Sequence, residues 1–89
     1  AAPERYRDIA VALGARDSID ARDMAMEGIR IIEQLIKDCG LPDRLSSYGI
    51  TESGIDEMVD SAMQVGRLLK NNPREVTSHD AREIYLKAL

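Results

Sequence analysis

The 89-residue sequence has no Trp and no Phe, a single Cys, a single His and three Pro. Tyr6, Tyr48 and Tyr85 are its only aromatic residues and lie far apart along the chain, so they offer no platform on which bases could stack. Cys39 has no partner for an intramolecular disulfide, and with only His79 as company it is too little for a zinc site. Basic residues are outnumbered, 12 Lys+Arg against 16 Asp+Glu, for a net charge of −4. A nucleic-acid surface, which needs a clustered basic face, is therefore not expected. No apolar run approaches the roughly 18 to 20 residues that cross a bilayer, and Ala1-Ala2-Pro3-Glu4-Arg5 lacks the charged-then-apolar order of a secretory signal. The sequence reads as cytoplasmic, with no membrane partner.

What is present is a helical pattern. At 44% hydrophobic residues the chain exceeds what disordered segments carry, and a length of 89 fits one domain with a modest core. Pro3, then Tyr6, Ile9, Ala10 and Leu13 at spacings of three and four, then Gly14, predict a helix over residues 3 to 13. From Ala21 an apolar stripe runs through Ala25, Ile29, Ile32, Ile36 and Cys39, widened by Met24, Gly28, Ile31 and Leu35. This predicts a long helix over residues 20 to 39, packed by several neighbours and stopped by Gly40-Leu41-Pro42. One helical turn is expected around Arg44-Leu45. Thr51 is expected to cap a third helix carrying Ile55, Met58, Val59, Ala62, Met63 and Gly66, with Leu69 extending its stripe and Lys70-Asn71-Asn72-Pro73 breaking it. Thr77 and Asp80 form an acidic variant of a capping box ahead of Ala81, Ile84, Tyr85 and Ala88. With no strand-like alternation, no repeat and no Gly-rich phosphate loop, the expected fold is all-α, a small bundle of about four helices.

His79 falls in the first turn of the last helix, where the dipole disfavours a cationic imidazole, and reads as an exposed helix-start residue. Cys39, on the apolar stripe at a helix C-terminus, reads as a buried, unreactive thiol. Asp56, Glu57 and Asp60 read as solvated dipole partners, and Met24, Met26, Met58 and Met63 as core filling. A ligand role for Tyr48 has no support. No apolar patch can be assigned to an interface from the sequence.

Leu13-Gly14-Ala15-Arg16-Asp17-Ser18-Ile19-Asp20, opening an acidic helix, looks like the attachment loop of acyl carrier proteins, where a helix-start serine carries phosphopantetheine. That alternative puts the arm on Ser18. Only 17 residues precede this serine, too few for the first helix and loop of a carrier, and the plainer account has Asp17, Ser18 and Asp20 capping the second helix. A stand-alone helical interaction module is the further alternative.

The landmarks in order resemble the C-terminal end of the iron-dependent (group III) alcohol dehydrogenases. They are Arg5-Tyr6-Arg7-Asp8-Ile9-Ala10 with Leu13-Gly14, Gly40-Leu41-Pro42 with Leu45, and Tyr48-Gly49-Ile50 followed by Ile55 and Ala62. The most specific is the close, Asn72-Pro73-Arg74 with Thr77, Asp80, Ile84-Tyr85 and Ala88-Leu89. The resemblance implies a two-domain parent with an N-terminal Rossmann-like domain for NAD(P) and a helical C-terminal domain, of which residues 1–89 are the last segment. In that family one aspartate and three histidines hold iron or zinc, which polarises the alcohol or carbonyl oxygen while hydride passes to or from the nicotinamide. It also implies that all four ligands and the phosphate loop lie upstream of Ala1, and that no metal, cofactor-binding or catalytic role falls on these residues. The parent is then expected to act on a small alcohol or aldehyde and to form a homo-oligomer, while the segment alone is inert. By the same correspondence the stretch from Arg67 to Asn72 lines one wall of the substrate cleft, with Leu68 as its substrate-facing candidate. The plain alternative is a buried apolar side chain near a helix end.

Overall fold

A computed structural model describes residues 2–17 and 20–89. Among the described residues there are five α-helices: α1 (Pro3–Ala12), α2 (Ala21–Asp38), α3 (Ile55–Met63), α4 (Gly66–Leu69) and α5 (Ser78–Ala88), with short 3-10 turns at Leu45–Tyr48 and Glu52–Gly54. The chain is all-helical, as its patterning implies. It divides into two compact units, Ala1–Leu41 and Pro42–Leu89.

The first unit is a pair of helices whose ends are closed locally. Pro3 opens α1, and beyond its last turn Gly14 adopts φ +97°, so that Gly14 N–H reaches Val11 O at 2.9 Å and Ala15 N–H reaches Ala10 O at 3.0 Å. Gly40 ends α2 in the same way, with the Leu41 amide on Ile36 O at 3.1 Å. Both are Schellman endings, which consume carbonyls that the helix itself leaves without donors. At the other end of α2 the Asp20 carboxylate accepts from the amides of Arg22 at 2.8 Å and Asp23 at 3.2 Å. Ser18 lies outside the described residues. Asp17 is not a cap: its carboxylate takes both Nε and Nη2 of Arg7, at 3.0 and 2.6 Å, which raises the guanidinium pKa.

The two helices meet where their side chains are smallest. Ala10 is fully buried and Gly28 is buried against it. A Cβ built on Gly28 would stand 2.9 Å from Ala10 Cβ and 3.2 Å from its Cα. The stripe of α2 is wider than this contact. At 100° per residue it covers about 160° of the helix. Met24 and Gly28 are buried, whereas Ile29, Ile32 and Leu35 stay exposed. Cys39 is exposed as well, and so is Met26. The expectations of a buried thiol and of four core methionines are corrected here, because apolar spacing marks a face without saying how much of it a neighbour covers. Met24, Met58 and Met63 do fill the interior, wholly or in part.

The second unit is built on α3 and α5. Ile55 and Val59 from α3 and Ala81 from α5 form its centre, with Met58, Val76, Tyr85 and Leu86 packed on them. Asp56, in the first turn of α3, forms an ion pair with Arg82 of α5, so one of the three acidic residues read as dipole partners also links the helices. Two expectations change. Thr51 caps no α-helix: its hydroxyl pairs with Ser53 Oγ at 2.9 Å, a 3-10 turn intervenes, and α3 starts only at Ile55. The third helix also stops early. Gln64 and Val65 close i→i−3 bonds, Val65 leaves helical geometry at ψ +56°, and Gly66 begins α4 as a separate turn. Helical spacing of Ala62, Gly66 and Leu69 runs across this break because β-branched Val65 followed by Gly changes the backbone without changing the pattern.

The Ala10–Gly28 contact sets a clear expectation. Gly28→Ala adds about 1 kcal/mol of helix propensity, but the clash is worth about 1 to 3 kcal/mol the other way. The net effect is a lower Tm, and adding Ala10→Gly to the same chain recovers part of the loss. Strictly additive effects in a double-mutant cycle would show that the helices do not meet there.

Candidate functional site

The sequence directs attention to the run from Arg67 to Asn72 and the Asn-Pro-Arg turn after it. Arg67, Leu68 and Leu69 belong to α4. A one-turn helix cannot hold itself by its own ladder. It continues instead into a tight succession in which Asn71 N–H donates to Leu68 O and Asn72 N–H to Leu69 O, each at 3.1 Å. Pro73, which has no N–H to donate, prevents a further helical turn.

The turn is then tied to α5 by side chains. Asn72 Nδ2 donates to the Arg74 carbonyl at 2.6 Å, and Arg74 Nη2 donates to Asp80 Oδ1 at 2.7 Å. The other carboxylate oxygen of Asp80 accepts from Thr77 N–H at 2.9 Å and from the Thr77 hydroxyl at 2.8 Å, while Asp80 N–H returns a bond to Thr77 Oγ1 at 3.2 Å. This is the capping box expected from the sequence, with a guanidinium added to it. The Thr77 amide first, then Arg74 and the Thr77 hydroxyl, hold the Asp80 carboxyl well below the usual carboxylate range. Nothing in the sequence pattern singles out Arg74 as the partner, since it stands six residues from Asp80 across a turn whose path spacing does not give.

Beside this turn Gly66, Leu69, Lys70, Asn72, Arg74 and Val76 line an open groove. Leu68 is 59% exposed and stands apart from those residues, facing solvent instead of the interior. A second groove, of about 430 Å³, runs along α3 past Glu57, Met58, Ala62 and Val65 to Tyr85. Tyr48 is 65% exposed in its 3-10 turn, and His79 is exposed in the first turn of α5.

Among the described residues no group of three or more His, Cys, Asp and Glu stands together in a way that could hold a metal ion. Asp80, the most strongly perturbed acid, spends its oxygens on Thr77 and Arg74 and is a poor candidate for a ligand or a general base. No helix is long and apolar enough to cross a membrane among the described residues. The bonds of Asn72, Arg74 and Asp80 tie the turn to the start of α5.

A family model described as Fe-containing alcohol dehydrogenase family, C-terminal, matches residues 1–89. Long-chain-alcohol dehydrogenase 1 of Geobacillus thermodenitrificans (strain NG80-2) is 31% identical over 83 residues, 92% of this chain and 21% of that protein. The 1,3-propanediol dehydrogenase of Citrobacter freundii is 32% identical over 87 residues, 97% of this chain and 22% of that protein. Among solved structures, a 1,3-propanediol oxidoreductase superimposes with a TM-score of 0.91 at 28% identity, over 99% of this chain and 23% of the other. A mutant of an archaeal halo-thermophilic Red Sea brine pool alcohol dehydrogenase gives a TM-score of 0.88 at 35% identity, over 98% and 22%. The chain thus spans about a fifth of the length of the proteins it matches.

The Asp80 geometry carries a pH dependence. Its folded pKa lies below the ordinary value of 3.8, so its contribution to stability is present above that pH and is lost as pH falls toward the folded value, when the unfolded chain takes up the proton first. In the protein carrying this segment, Asp80→Asn should lower Tm near neutral pH, and the gap to wild type should narrow below pH 3.8. Thermal melts across pH decide the matter, and a constant gap would mean that the carboxylate charge is irrelevant. Thr77→Ala should cost about 1 kcal/mol as an N-cap loss.

Proposed function

We propose a role that follows from membership: the chain belongs to the Fe-containing alcohol dehydrogenase family, and its residues serve as the C-terminal helical part of a metal-dependent, NAD(P)-linked alcohol dehydrogenase. In this reading the parent interconverts small alcohols and aldehydes. The donor set described above does not fit the divalent metal, iron or zinc, that the family uses. In this reading metal and nucleotide are held by portions of the parent beyond these residues, the parent being a two-domain, cytoplasmic homo-oligomer. What this segment contributes is packing for the helical domain and one wall of the substrate cleft.

The observation that carries the reading is a family match along residues 1–89 in a chain whose apolar faces are incompletely covered. The apolar residues left open include Ile9, Ile29, Ile32 and Leu35, each between 42% and 48% exposed. Relatives nearly five times as long supply the missing cover in this account.

Leu68 is the substrate-facing residue in this proposal. A large apolar side chain left 59% exposed on a one-turn helix is costly in water and useful against the carbon chain of an alcohol.

Two measurements test the proposal. The purified 89-residue segment should give no NAD(P)-linked alcohol oxidation under conditions in which the whole enzyme turns over; a reproducible rate from the segment, free of contaminating dehydrogenase, overturns the scaffold role. In the whole enzyme, Leu68→Ala should shift the preference for alcohol chain length by about tenfold at most, the scale of one or two methylene contacts. An unchanged substrate profile removes Leu68 from the cleft.

A further inference from the structure

We propose that Arg74, through its ion pair with Asp80, is a positioning residue for the Leu68 wall of the substrate cleft. The proposal rests on the reading of Leu68 given above and adds the means by which that side chain is held.

The connection can be followed atom by atom. Leu68 lies on a helix of one turn, too short to fix its own direction. Its carbonyl and that of Leu69 are held by the amides of Asn71 and Asn72. The Asn72 side chain grips the Arg74 carbonyl at 2.6 Å, which closes the turn around Pro73. The Arg74 guanidinium then reaches Asp80 at 2.7 Å. Asp80 is itself fixed by three bonds to Thr77 and precedes Ala81, which is buried in the core of α3 and α5. Hydrogen bonds and the short backbone links between them thus run from the Leu68 carbonyl to the buried start of α5.

Arg74 is the weak point of that series and the place where it can be cut. Its side chain is 58% exposed, and an isolated pair at such exposure would hold little. Here the acceptor is already immobilised and only 22% exposed, so the guanidinium meets a carboxylate that needs no further ordering. Small displacements of a wall against which a substrate lies change orientation at the reacting carbon and are read out as differences between substrates.

The test uses the full-length dehydrogenase and compares kcat/KM for propanol and octanol. Arg74→Gln should change the octanol-to-propanol ratio by roughly fivefold, mainly through KM for octanol, and in the same direction as Leu68→Ala. Arg74→Lys, which keeps the charge, should restore most of the wild-type ratio. Asn72→Ala cuts the series without touching the α5 cap; it should move the ratio the same way and gives the answer if Arg74→Gln does not fold. If Leu68→Ala shifts the ratio and neither Arg74→Gln nor Asn72→Ala does, the positioning role is overturned while the cleft reading stands. If Leu68→Ala leaves the ratio unchanged, the cleft reading fails and the positioning role with it. Equal losses for both alcohols accompanied by a lower Tm also overturn the proposal, because they describe a stabilising contact alone.

Discussion

A helix can cover only about as much of its neighbour as its own breadth, and α2 has an apolar stripe broader than that. One flank is met by α1 at a point where Ala10 and Gly28 let the backbones approach closely. Ile29, Ile32 and Leu35 lie around and beyond the contact and remain in water. In a protein that completes its own core such a stripe would be trimmed with polar residues. Here the stripe is retained, which leaves apolar surface for further protein to cover. The family match gives that cover a source, since the relatives are several times longer than the segment.

The second unit depends on a different kind of interaction. Its centre is Ile55, Val59 and Ala81, with partly buried neighbours packed on them, and apolar contacts of this kind are non-directional. Orientation comes from polar bonds at the start of α5, where one carboxylate serves as N-cap partner and as acceptor for Arg74. Charge-assisted bonds to a group already fixed are directional in a way that apolar contacts are not. The Asn-Pro-Arg turn and the α4 turn before it are therefore set relative to α5 more by hydrogen bonds than by burial.

The parts of this architecture that the sequence discloses are the parts decided within a few residues. Pro3 and Gly14 bound α1, Gly40 ends α2, and Thr77 with Asp80 opens α5, because each involves a backbone preference or a side chain that reaches only three residues along the chain. The family resemblance is legible for the same reason, being carried by those punctuating residues in order. Where the outcome depends on distant neighbours, pattern is a poor guide. Cys39 sits on an apolar stripe and is nonetheless exposed, Asp17 binds Arg7 instead of capping α2, and the Arg74 partner is found only once the turn has been folded. The break at Val65 is intermediate: β-branching followed by Gly is visible, but an unbroken apolar period conceals it.

These two kinds of legibility also separate what the segment completes from what it leaves open. Four of its helix ends are closed from within: two Schellman turns, an aspartate cap and a capping box satisfy groups that would otherwise need partners, and no buried side-chain nitrogen or oxygen among the described residues lacks one. Its apolar faces are not closed. Polar satisfaction is local and can be achieved before any wider assembly, whereas burial of a broad stripe requires other helices. In the reading proposed above, the Asn72–Arg74 and Arg74–Asp80 bonds set the direction of Leu68 from within the segment. On that proposal the wall is specified by the segment and the chemistry by the rest of the parent, and exact hydrogen bonding is what such a supporting role requires.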